Sequence, residues 1–307
     1  MTPYCAFLGD DDFLCTNGIE QCLEFLERHP SYGAAHGKGL LFQTETGAAY
    51  GPIGMVRPYP QVVLNADSAA GRLRDVLTAR VGGLLYSVHR THTWRAMFAG
   101  IGRLSGTTNT NIFKDELIAV CLSAIRNTVQ ELDCLYLIRH THEAIYKYPT
   151  IYDWVTDPMW FPSFQAFRDR LVTELMEQDR LHEPDAQAVF KDVFWSFLAH
   201  VLMNGWQRSR QPARVKPVSR LQVLAKRVPG LQRGWQKVLA IRQRWQDELS
   251  LPALLHPSSP YHDDFMPIYE AVTHAPADAL VAVASERHLV SSKGALDAGA
   301  VLREPHG

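Results

Sequence analysis

Over its first 140 residues the chain alternates short apolar stretches with segments of helical periodicity, and few architectures accommodate that order. Residues 4 to 8 (Tyr-Cys-Ala-Phe-Leu) read as a buried strand, followed by the acidic turn Gly9-Asp10-Asp11-Asp12. A helix comes next. Asn17 and Glu20 have capping-box spacing, Ile19, Cys22, Leu23 and Leu26 form its apolar stripe, and Pro30 ends it. Ala34 to Gln43 reads as a strand and Thr44 to Pro60, rich in Gly and Pro, as a hairpin or loop. Ser68 to Arg80 predicts a helix, Leu84 to His89 a strand, and Trp94 to Phe98 the start of another helix. After the polar loop Ser105 to Asn111, a helix is expected from about Lys114 to Gln130, with Leu117, Ile118, Cys121, Leu122 and Ile125 on one face. Leu135 to Ile138 is again strand-like. The expected class is α/β.

After Pro158 the spacing turns helical, first through Phe164, Phe167, Leu171 and Leu175, then through Val189 to Val201. The expected organisation is an α/β portion over 1–155, a helical region over 156–274 and a loosely ordered tail over 275–307. Between 204 and 246 lie eleven Lys or Arg and no Asp or Glu. This segment reads either as a solvated helical face or as a peripheral contact with anionic lipid, with Trp235 and Trp245 at the interface. The formal net charge of -1 offers no global field for nucleic acid, and no nucleic-acid motif appears. Five scattered cysteines without a CxxC pair read as buried thiols of a reducing compartment. No apolar stretch reaches the roughly 18 to 20 residues of a membrane span, and no basic segment precedes the first apolar patch. The expected location is cytoplasmic, with membrane-peripheral contact as an option through segment 204–246.

Three adjacent carboxylates repel one another, so a cation is their natural partner. Hard oxygen ligands after a strand suit Mg²⁺ or Mn²⁺. Ligands of open α/β sheets also gather at the carboxyl ends of strands. The bland alternative is a solvated turn whose charges favour the dipole of the following helix.

The run Phe7-Leu8-Gly9-Asp10-Asp11-Asp12-Phe13-Leu14, then Gly18-Ile19-Glu20, Phe25-Leu26 and Ala35-His36-Gly37, resembles the bacterial GT-A type glycosyltransferases, which use nucleotide sugars and carry a DxD-like acidic motif. The resemblance continues through Arg72-Leu73, Tyr86-Ser87-Val88-His89-Arg90, Asp115-Glu116-Leu117 and Leu137-Ile138-Arg139 with His142, and so covers roughly residues 4 to 155. It implies a partial Rossmann-like mixed sheet with a mainly helical C-terminal region. It also implies transfer of a sugar from a nucleotide diphosphate to a saccharide or other hydroxyl acceptor, with inversion and with Mn²⁺ or Mg²⁺. The ion would meet Asp10, Asp11, Asp12 and His142, with either Asp10 and Asp12 or Asp11 and Asp12 as the DxD pair. Asp115 would be the base that takes the acceptor proton, with Glu116 in reserve. Arg139 and His36 would bind the donor, since guanidinium pairs with phosphate. Asp153, Trp154, Asp157 and Trp160 read as an acceptor platform or as core.

The acidic turn stands at the tenth residue, where a GT-A domain has already built nucleotide-binding strands, so the expectation is an N-terminally truncated form. Two other readings compete. One is a non-catalytic remnant acting as an interaction module. The other is a metal-dependent phosphohydrolase using the Asp cluster.

Overall fold

The structure, a computed structural model, describes residues 2–78, 81–99, 116–142, 151–210 and 247–274. Asp115, most of the basic segment and the tail from 275 lie outside the described residues. The fold is mixed α/β with a curled mixed sheet.

Six strands form the sheet: β1 (Tyr4–Ala6), β2 (Asp12–Leu14), β3 (Tyr32–Thr44), β4 (Ile53–Tyr59), β5 (Val88–Arg90) and β6 (Thr128–His140). The order is β1-β5-β3-β6-β2, with β4 also on β3. The two long strands β3 and β6 run parallel at the centre, and the other pairings are antiparallel. A parallel pair needs a crossover. Here it carries α2 (Ala69–Thr78), α3 (Thr91–Phe98) and α4 (Ile118–Arg126). β3 pairs with β5 at Ala34 and Ala35 and with β4 from Gly39 onward, so one strand serves two partners in succession and the sheet curls.

Helix α1 (Thr16–Arg28) buries Gly18, Cys22 and Leu26 at intervals of four, one stripe of a helix. Its approach to the sheet depends on Gly18, where a Cβ would stand 2.3 Å from the Leu135 carbonyl oxygen. The expected capping box does not form. Cys15 occupies the N-cap position without a side-chain hydrogen bond. Asn17 sits inside the first turn, where it accepts from Gln21 and donates to Asp264.

α4 is shorter than its periodicity predicted, because residues from Thr128 onward join the sheet. Ile118 to Ile125 are all buried, so this helix is covered all round. Arg72 of α2 stabilises its last turn, donating to the carbonyls of Ala124 (2.9 Å) and Ile125 (2.6 Å). Helix α5 (Ile151–Thr156) runs across the expected boundary at 155, and it shares one core with α2 to α4, α6 (Trp160–Asp179) and α7 (Glu183–Arg210). Glu174 of α6 accepts from Arg126 of α4, and the Asp179 carboxylate receives the N–H groups of Ala69 and Ala70 at the start of α2. The short helices α8 (Leu251–Leu255) and α9 (His262–Thr273) pack with Leu40, Phe42, Leu135 and Ile138 of the central strands. Among the described residues no helix is long and apolar enough to cross a membrane.

Candidate functional site

The acidic turn lies between two very short strands. β1 ends at Ala6, and the chain turns through Gly9 to Asp11. β2 then pairs antiparallel with the end of β6, which sets Asp12 opposite Arg139, Phe13 opposite Ile138 and Leu14 opposite Leu137. This pairing unites the first and third groups of residues expected from the sequence.

Asp12 faces Arg139. Its side chain is fully buried, and Oδ2 accepts from Arg139 Nε at 3.0 Å. Oδ1 is buried without a hydrogen bond. Burial raises the Asp12 carboxyl above its ordinary range; Arg139 opposes that rise and Asp11 adds to it. Arg139 also donates to the Tyr59 hydroxyl at 3.1 Å. Its guanidinium carbon lies 4.5 Å from the Tyr86 ring centre and 5.2 Å from that of Tyr59. Burial works against the Arg139 charge, but Tyr59, Asp12 and Tyr86 together hold its pKa above the usual value.

Asp11 faces the other histidines. Its Oδ2 is 3.0 Å from His142 Nε2. The His142 ring lies 4.9 Å from that of His140, which stacks flat on Phe42 at 4.5 Å. His140 Nε2 is buried and unbonded, and burial followed by the neighbouring His142 lowers the His140 pKa. Asp10 is exposed. Gly9 leaves room for the Asp11 and Asp12 side chains: a Cβ there would stand 2.9 Å from Asp12 Oδ2 and 3.2 Å from Asp11 Oδ1. Both carboxylates thus fold back over the one residue without a side chain.

Glu116, half-buried just ahead of α4, is close enough to Tyr86 for its charge to contribute to the raised pKa of that phenol, which burial dominates. Its partner in the sequence reading, Asp115, is outside the described residues.

His36 does not join this cluster. It is an interior side chain with no exposed surface, Nδ1 2.9 Å from the Gly37 carbonyl and Nε2 3.0 Å from that of Val62. An imidazole so enclosed has no face for a donor molecule, so the expected donor contact is replaced by packing. Trp154 likewise is core, edge-on to Trp160 at 6.3 Å. Tyr59 and Tyr86 are the functional candidates that sequence reasoning missed. Tyr86 stood within a quoted motif, but Tyr59 ends a Pro- and Gly-rich segment that carried no signal.

The donors fit a hard divalent cation in kind. Among the described residues no three His, Cys, Asp or Glu side chains converge to hold an ion. Asp11 and His142 are joined by an ordinary hydrogen bond, and these are the side chains that would have to turn toward an ion. Comparison with protein-family models found no match, and comparison with curated proteins found none.

Proposed function

We propose that the chain is a metal-dependent glycosyltransferase of GT-A type, moving a sugar from a nucleotide diphosphate to a hydroxyl acceptor with inversion. The observation that carries this reading is the β2–β6 pairing, which sets Asp12 against Arg139 and Asp11 against His142. Mn²⁺ or Mg²⁺ held through the acidic turn and His142 would neutralise charge on the leaving diphosphate. Arg139 keeps its proton and stands beside the carboxylates, as a phosphate-pairing group must. Its stack on Tyr86 and its bond to Tyr59 fix the guanidinium in one orientation, so little freedom remains to be lost when an anion arrives. Asp115 or Glu116 takes the acceptor proton as the acceptor oxygen attacks the anomeric carbon. Glu116 contributes to the raised pKa of Tyr86, the ring under Arg139, which supports a role for an acid in this region.

The test is nucleoside diphosphate release from a panel of nucleotide sugars, with mixed saccharide acceptors and Mn²⁺. Acceptor-dependent release that chelation abolishes supports transfer. Release that needs no acceptor, or hydrolysis of simple phosphoesters instead, rejects it.

A further inference from the structure

A groove of about 560 Å³ runs between α6 and α7, and its lining residues all belong to these two helices. Three residues, 180 to 182, join the helices, which therefore pack as an antiparallel hairpin. Trp160, Phe164 and Arg168 recur every fourth residue on α6, while Ala188, Lys191, Trp195 and Leu198 recur every third or fourth on α7. Two facing stripes of this kind leave a channel between them. The channel differs along its length. Away from the hairpin turn it is apolar: the Trp160 ring lies nearly parallel to Phe164 at 5.0 Å, Phe164 meets Phe194 at 5.0 Å, and Trp195 is left 60% exposed. Nearer the turn stand Arg168 and Lys191, the charged side chains of the lining. Lys191 is exposed and has no hydrogen bond or ion pair among the described residues. Arg168 donates to its neighbour Asp169 at 2.8 Å, a surface pair of the kind worth little in water. The other acids nearby are engaged: Asp192 with Arg74 of α2 and Glu183 with Gln187, while Asp185 stands in the first turn of α7.

We propose that this groove binds a single-chain amphiphile with an anionic head, of the fatty-acid class. The alkyl chain lies along Trp160, Phe164, Phe194 and Leu198, and the carboxylate sits between Arg168 and Lys191. The volume falls in the range of small-ligand sites. A sugar or a nucleobase would leave its polar groups unpaired against the rings, whereas an alkyl chain has none to satisfy. A neutral or cationic lipid would gain the same apolar contact but leave Lys191 unpaired or repelled. From Lys191 to Leu198 the helix rises about 10 Å, so the apolar half accommodates a chain of medium length. The site does not depend on the transferase reading.

Calorimetric titration of the full chain with monomeric dodecanoate, below its micellar concentration, tests this. One molecule should bind per chain, and octanoate should bind about tenfold or more weakly, since each methylene lost leaves less apolar surface to bury. Dodecanol and dodecyltrimethylammonium, with the same chain and a neutral or cationic head, should bind about fivefold or more weakly than dodecanoate. Lys191→Glu should remove that preference for the anion. Ala188→Trp, at an exposed position of the lining, should fill the groove and abolish binding of every chain. Both positions are exposed, so the two variants keep the test decisive if one of them fails to fold. No dodecanoate binding, dodecanol bound as tightly as dodecanoate, or dodecanoate binding unchanged in the folded variants overturns the proposal. So does binding confined to phosphatidylglycerol vesicles, which would make this face a membrane contact instead.

Discussion

Asp12 and Arg139 are register partners on β2 and β6, and the buried Asp12 carboxylate accepts from Arg139 Nε at 3.0 Å. The three-residue strand β2 is held against β6 by this pair, by Asp11 with His142 and by the Cys15 N–H donating to the Tyr136 carbonyl. Removing Arg139 leaves a buried carboxylate uncompensated, which costs about 3 kcal/mol. Arg139→Met should therefore destabilise strongly at neutral pH, while Asp12→Asn with Arg139→Met should recover part of the loss. Urea unfolding of the four proteins gives the coupling, expected at about 2 kcal/mol. A coupling near zero would mean that the pair does not join the two strands.

Glu174 is nearly fully buried on α6 and pairs with Arg126 of α4 and Arg170 of its own helix. Glu174→Gln removes the counter-charge of two arginines at once and should cost about 3 kcal/mol. Because α4 and α6 share a core, the loss should appear as a shift of one cooperative unfolding transition. Two transitions, with only one moved, would show that the helical region folds on its own.

One buried and one half-buried group give opposite pH dependences. Burial lowers the His89 pKa from 6.5 to about 4. The folded state resists protonating His89, so its contribution is complete above pH 6.5 and is lost as pH falls toward 4. Burial raises Glu131 from 4.5 to about 7, so its contribution is complete below pH 4.5 and is lost as pH rises through 7. At about 1.4 kcal/mol per unit, each amounts to roughly 3 kcal/mol, and the slopes oppose each other where the two ranges overlap. Glu131→Gln removes one of them. Relative to the parent, it should gain roughly 3 kcal/mol as pH rises from 4.5 to 7. Parallel stability curves for the two proteins would contradict this.

Periodicity made the long elements legible. The Cys22 and Leu26 stripe gave α1, the apolar run 34–43 lies inside β3, and the helical spacing from Phe164 and from Val189 found α6 and α7. The joining of the acidic turn to Arg139 and His142 was legible only as an order of motifs, because β2 is too short to carry a period. β6 was read from Leu135, since its first half, Thr-Val-Gln-Glu-Leu-Asp, is polar and looks like a helix end. His36 was expected at the donor through the motif resemblance alone. Backbone carbonyls of Gly37 and Val62 satisfy it inside the core instead, which no local pattern announces. The single core shared by α2 to α7 depends on tertiary pairs such as Arg126 with Glu174, 48 residues apart.

Calorimetric titration of UDP, GDP, ADP, CDP and dTDP tests the central claim most directly, with Mn²⁺ or with chelator, on the parent protein and on Asp11→Asn. At least one nucleotide should bind with Mn²⁺ and weaken about tenfold or more both on chelation and in Asp11→Asn. Binding of none of them with Mn²⁺, or binding indifferent to both chelation and Asp11→Asn, would contradict the account.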